Sequence, residues 1–145
     1  MDLAARLSEL KSGFARSFWV ANVLELFERF SFYGSKIVLA VFLAETVGLG
    51  PLGVSLVGLY GFAVYLLPIL AGPFVDRYGF RKSLAACFAI YAVGYSLIAL
   101  SGLPAGRGLV AAVGAKAWVV MALLVTAVGG SLIKPCIVGT VARTT

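Results

Sequence analysis

Four long apolar stretches, at about 17–47, 54–75, 84–100 and 115–142, restrict this chain to one kind of fold. A run of ~20 apolar residues in a helix spans a bilayer core of about 30 Å. Between the runs lie only short turns such as "VGLGPLG", "DRYGFRKS" and "SGLPAGRG". Charged residues make up 12% of the chain and mean hydropathy is +1.03, so a soluble surface could not be covered. The sequence predicts an all-α integral membrane protein with four transmembrane helices. Its first apolar run is too long for a secretory leader and lacks a small-residue cleavage pattern.

Residues 1–16 place Leu3, Leu7 and Leu10 at helical spacing with charges between them, which predicts a cytoplasmic amphipathic segment ahead of the first span. Lys and Arg outside the spans set the orientation. Arg6, Lys11, Arg16, Arg77, Arg81, Lys82 and Arg143 fall on one side, and Arg107 and Lys116 on the other. Both termini are therefore expected in the cytoplasm, with the chain in the cell (inner) membrane. The net charge of +6 is this topology signal, not a nucleic-acid surface. Trp19 and Trp118 lie near span ends, as an aromatic belt requires.

The first span breaks the apolar rule in its middle. Within "VLELFERFSFYGSK", Glu25, Glu28, Arg29, Phe32 and Lys36 recur at helical spacing, with Tyr33 beside them. An ionised side chain facing lipid at mid-depth costs at least ~2.5–3.5 kcal/mol, so the stripe is expected to face a protein interior or an aqueous cavity. The fourth span offers a counter-charge at Lys134, followed by Pro135. Lys134 precedes Arg143 by nine residues and Glu25 follows Arg16 by nine. At a rise of about 1.5 Å per residue both charges lie ~14 Å into the membrane, a depth at which they could interact.

Burial penalises an ionised carboxylate and a nearby cation restores it. If a ligand claims the cation, the acid can take up a proton, which is a coupling mechanism. A purely structural salt bridge is the competing reading, but ion pairs stabilise poorly once desolvated. With no His in the chain, proton chemistry falls to carboxylates and lysines. Cys87 and Cys136 stand singly inside apolar runs and are read as small packing residues. No catalytic residue, metal site or cofactor loop is expected, which excludes the common enzyme classes.

"ELFERFSFYG" resembles the ExxERFxYYG signature of the proton-coupled oligopeptide transporter family, a branch of the major facilitator superfamily. "GPFVDRYGFRK" is similar to the superfamily's loop between its second and third helices, and "GGSLIKP" to the family's lysine-bearing fourth helix. The resemblance implies proton coupling at Glu25, Glu28, Arg29 and Lys134. It implies solute contacts at Arg29, Tyr33, Lys36, Tyr60 and Lys134, and a gating loop at Gly72, Asp76, Arg77, Gly79 and Arg81. Phe32 stands where the family usually has tyrosine, and Lys36 where arginine is common. A lysine lacks arginine's planar two-point grip on a carboxylate.

The expected protein is therefore the N-terminal part of a major facilitator superfamily fold, a proton-coupled di- or tripeptide symporter working by alternating access. A proton gradient is its energy source, with no cofactor. Its partners would be small peptides or other small solutes, protons, lipid and the missing C-terminal helices of the same transporter. Two alternatives remain at this level: a symporter for another small anionic solute, and a four-helix membrane protein that does not transport.

Overall fold

The computed structural model describes residues 13–142, with the backbone alone described at residues 17, 140 and 141. The amphipathic segment expected over 1–16 lies outside the described residues from 1 to 12, as does Arg143. The described chain is helical: α1 Arg16–Val41, α2 Pro51–Leu66, α3 Pro68–Tyr78, α4 Phe80–Gly102, α5 Arg107–Val113 and α6 Ala115–Ala142. A π-helical turn, Phe42–Thr46, extends α1, and a 3-10 turn, Pro104–Gly106, precedes α5. The stretch "SGLPAGRG", expected as a loop, thus carries this turn and the start of a short helix.

The helices end where backbone chemistry requires. Gly48 and Gly50 take φ of 78° and 55° in the turn after α1, and Pro51 then opens α2 at a position where its missing N–H costs nothing. The expected second span of 54–75 is two helices bent by 46°. The break falls at Pro68, whose ring cannot donate to the preceding turn and crowds it. Gly79 alone separates α3 from α4, at φ 82°. Pro135, by contrast, sits within the single helix α6.

Among the described residues two helical segments, Phe80–Gly102 and Ala115–Gly139, are long and apolar enough to cross a membrane, and α2 with α3 qualifies as a bent third. At 26 residues α1 has the length, but Glu25, Glu28 and Arg29 at its middle remove it from that class. Large apolar side chains cover the outside of the bundle, among them Phe30, Ile37, Ile69 and Leu70, each at least 70% exposed. A surface of this kind suits hydrocarbon or further protein and not water.

The most extensive helix contact joins α4 to α6. It depends on small residues: a Cβ added at Gly94 would come within 2.9 Å of the Thr126 backbone nitrogen, and one at Gly129 within 3.2 Å of that of Tyr91. Trp118 closes the seam. Its indole nitrogen donates to the Leu97 carbonyl at 2.8 Å and the ring is 6% exposed. The aromatic-belt reading therefore fails for Trp118, because its N–H finds a backbone acceptor inside the bundle. Trp19, 42% exposed, remains on the outside.

One apolar core gathers Phe32, Leu39, Tyr60, Val64, Ile98 and Leu123 where α1, α2, α4 and α6 converge. A smaller one unites Ala21, Cys87, Ile133 and Ile137. Phe42 packs on Gly102 at one end of the bundle, and Phe80 on Gly139 at the other. The beginning of α1, the Gly79 turn and the end of α6 thus share an end.

Candidate functional site

The charge stripe of α1 folds into a compact cluster. Arg29 donates from Nη2 to Glu25 Oε1 at 3.3 Å, and its Nε lies 3.6 Å from Glu28 Oε2. The first contact follows from i,i+4 spacing and the second from adjacency in sequence, so α1 builds both alone. Glu28 is the more buried acid, its side chain 12% exposed against 40% for Glu25. Its Oε2 is buried and, among the described residues, receives no hydrogen bond. Beside it opens a groove of about 260 Å³ between α1, α4 and α6, lined by Phe27, Phe88, Tyr91 and Ile133 among others.

Lys134 does not close on the acids. Among the described residues no carboxylate comes within 4.0 Å of its ammonium, which instead lies 3.7 Å from the ring centroid of Tyr65 on α2. The Tyr65 hydroxyl meets that of Tyr33 at 2.5 Å, joining α2 to α1. The equal depth of Glu25 and Lys134 read from sequence is therefore not realised as an ion pair, because an aromatic face occupies the lysine.

The expected solute contacts separate into two groups. Tyr33 is exposed beside Tyr65 and Lys134. Tyr60, five residues before Tyr65 and on another face of the same helix, is 3% exposed in the core against Phe32. Its hydroxyl is buried and, among the described residues, has no hydrogen-bond partner. Phe32 is itself 5% exposed, so the hydroxyl absent at this position is absent from a packed interior. Lys36 reaches across Gly61 with its ammonium 5.6 Å from the Phe32 ring. Sequence reasoning missed Tyr65. The signal was available as a second α2 tyrosine, but only packing tells which of the two faces the charges.

Gly72, Asp76, Arg77, Gly79 and Arg81 lie along α3, the turn and the first residues of α4. Asp76, Arg77, Gly79 and Arg81 are exposed, and the Arg77 guanidinium lies 5.9 Å from the Tyr78 ring centroid. Among the described residues Asp76 forms no ion pair.

The fold and this cluster define a helical integral membrane protein that holds charges between its helices. The dipeptide and tripeptide permease A of Cronobacter turicensis is 33% identical over 89 residues, 60% of this chain and 18% of that protein. The proteins of the same name from Salmonella typhi and Escherichia coli are each 29% identical over 121 residues, 82% of this chain and 22% of theirs. The chain thus spans about a fifth of the length of the curated relatives it matches. No protein-family profile and no solved structure matches it. The resemblance to the proton-coupled oligopeptide transporter family therefore holds over most of the chain, since these relatives belong to that family. The relatives are permeases and not enzymes.

Proposed function

We propose that this chain supplies the first four transmembrane helices of a proton-coupled symporter for di- and tripeptides, with a major facilitator superfamily fold and alternating access. α1 with its π turn would be the first span, α2 with α3 the second, α4 the third and α6 the fourth. The observation that carries the reading is the Glu25–Glu28–Arg29 cluster with Lys134 held nearby but unpaired with either acid. Ionisable groups inside a membrane segment mark ion and substrate paths far more often than structural supports. Relatedness to proteins named dipeptide and tripeptide permease supports the substrate class.

Glu28 is the proton carrier in this reading. It is the more buried of the two acids and lines the groove, and its Oε2 accepts no hydrogen bond among the described residues, whereas Glu25 Oε1 accepts one from Arg29. Arg29 and Lys134 offer positive charge to a peptide carboxylate, and Tyr33 is joined to Tyr65, the ring that Lys134 covers. Asp76, Arg77 and Arg81 form a gating surface at the cytoplasmic end, shared by the start of α1. The membrane is the inner one and no cofactor is used.

The test is uptake of labelled dialanine by the full-length gene product in vesicles with an imposed pH gradient. Acid outside should accelerate uptake several-fold, and Glu28→Gln should abolish that acceleration while peptide exchange at equal pH continues. Unchanged pH dependence in Glu28→Gln would remove the proposed role for this residue. Uptake that unlabelled dipeptides do not compete would favour another anionic solute.

A further inference from the structure

The passage from α3 into α4 carries a second concentration of charge, away from the Glu25–Arg29 cluster. Residues 74–86 hold Arg77, Arg81 and Lys82 against one acid, Asp76. All three bases are exposed, and among the described residues none of them pairs with a carboxylate. Beside them a groove of about 220 Å³ opens between α3, α4 and α6, lined by Phe74, Tyr78, Lys82, Ser83, Ala86 and Leu132.

The groove has two tiers. Tyr78, Lys82 and Ser83 lie next to the Gly79 turn, whereas Phe74 and Ala86 lie one helical turn, about 6 Å, further along α3 and α4. Leu132 of α6 completes the lower tier. The upper tier thus offers an ammonium, a phenol and a hydroxyl, and the lower one only hydrocarbon. Phe74 and Tyr78 stack with centroids 5.9 Å apart and an interplanar angle of 24°, which makes one wall continuous from tier to tier. Both rings are more than half exposed, and the Arg77 guanidinium lies 5.9 Å from the Tyr78 ring centroid.

We propose that this groove binds an anionic phospholipid: Lys82 holds its phosphate, Arg77 reinforces the positive rim, and one acyl chain lies along Phe74, Ala86 and Leu132. The polar tier stands at the helix ends and the apolar tier further into the bundle, the order in which a lipid presents head and tail. Basic pockets between transmembrane helices are a recurring means of holding lipid phosphates. A soluble phosphate would leave Phe74 and the lower tier uncovered. A zwitterionic head would bring an ammonium of its own against Arg77, Arg81 and Lys82, so the charge of the rim selects a net anion. That the inner leaflet supplies the lipid rests on the topology proposed above; the site itself does not.

The test is native mass spectrometry of the full-length gene product, titrated with phosphatidylglycerol and phosphatidylethanolamine of equal chain length. The wild type should bind its first phosphatidylglycerol about fivefold more tightly than phosphatidylethanolamine, the factor that one basic residue near an anionic surface carries. Lys82→Gln should bring the two lipids to equal affinity, and Lys82→Met, which keeps the apolar stem, is the second variant should the glutamine protein not fold. Arg107→Gln, at the other end of α4, should leave the preference intact. Ala86→Phe, which fills the lower tier, should weaken both lipids. Equal affinities in the wild type overturn the proposal, as would follow if a later helix of the same gene product filled the groove. A preference that persists in both Lys82 variants also overturns it, by assigning the effect to the basic surface at large. Undiminished binding in Ala86→Phe, or competition by glycerol 3-phosphate at the lipid's own concentration, removes the acyl chain from the groove and the phospholipid with it.

Discussion

Arg29 is the single residue on which the candidate site turns. Its guanidinium touches both acids of α1, so its loss leaves two partly buried carboxylates facing each other. Breaking a buried charge pair by removing one partner destabilises more than replacing the whole set. Arg29→Leu should therefore lower the stability of the chain in detergent by about 1–3 kcal/mol, seen as a fall in Tm. Adding Glu28→Gln to that background should recover part of the loss, because a neutral amide tolerates the site better than an orphaned charge. A double variant less stable than Arg29→Leu would contradict this account of the cluster. The residue scale also shows where spacing was informative. The i,i+4 pair Glu25–Arg29 was legible in the sequence because one helix fixes it. The partner of Lys134 was not, since it depends on how α2 and α6 rotate against each other.

At the scale of elements, the α4–α6 seam is the firmest part of the molecule. Gly94 lies against the backbone of Thr126, which cannot withdraw, whereas the nearest atoms to a Cβ at Gly58 are beyond 4 Å. Gly94→Leu should cost at least about 1–3 kcal/mol through overpacking, and Gly58→Ala should leave Tm within a degree or two. Equal tolerance at both positions would deny the seam its role. Trp118→Phe should cost about 0.5–1.5 kcal/mol, the worth of its indole hydrogen bond to Leu97. The sequence revealed the glycines and the tryptophan but not their partners. Trp118 reads as an interface residue by position alone, and only the nearby Leu97 carbonyl draws it inward. The bend at Pro68 was likewise foreseeable as a permission and not as an angle: proline removes a hydrogen bond, and the packing of α2 and α3 on α6 sets how far the chain then turns.

For the whole molecule, the shared end of α1, the Gly79 turn and α6 carries a directional expectation. Arg16, Arg77, Arg81 and Lys82 gather there, while Arg107 and Lys116 lie beyond the other end of α4. Cysteine introduced at Arg81 should react with a membrane-impermeant maleimide only after the inner membrane is opened, and cysteine at Arg107 should react in intact spheroplasts. The native Cys87 and Cys136 are buried and should contribute little background. The reverse pattern would invert the proposed topology.

The sequence by itself determined that this is a helical membrane protein related to the peptide permeases, and that its first helix carries an ionic stripe. Those properties come from hydropathy, residue spacing and local motifs, all of which act within one segment of chain. Tertiary structure alone decided that Arg29 is shared by both acids while Lys134 rests on Tyr65, that Tyr60 and Phe32 turn into the core, and that Trp118 ties α4 to α6. The physical reason is that helical periodicity fixes which residues share a face. Which face meets which neighbour is set by close packing between helices, at Gly94 and Gly129 above all.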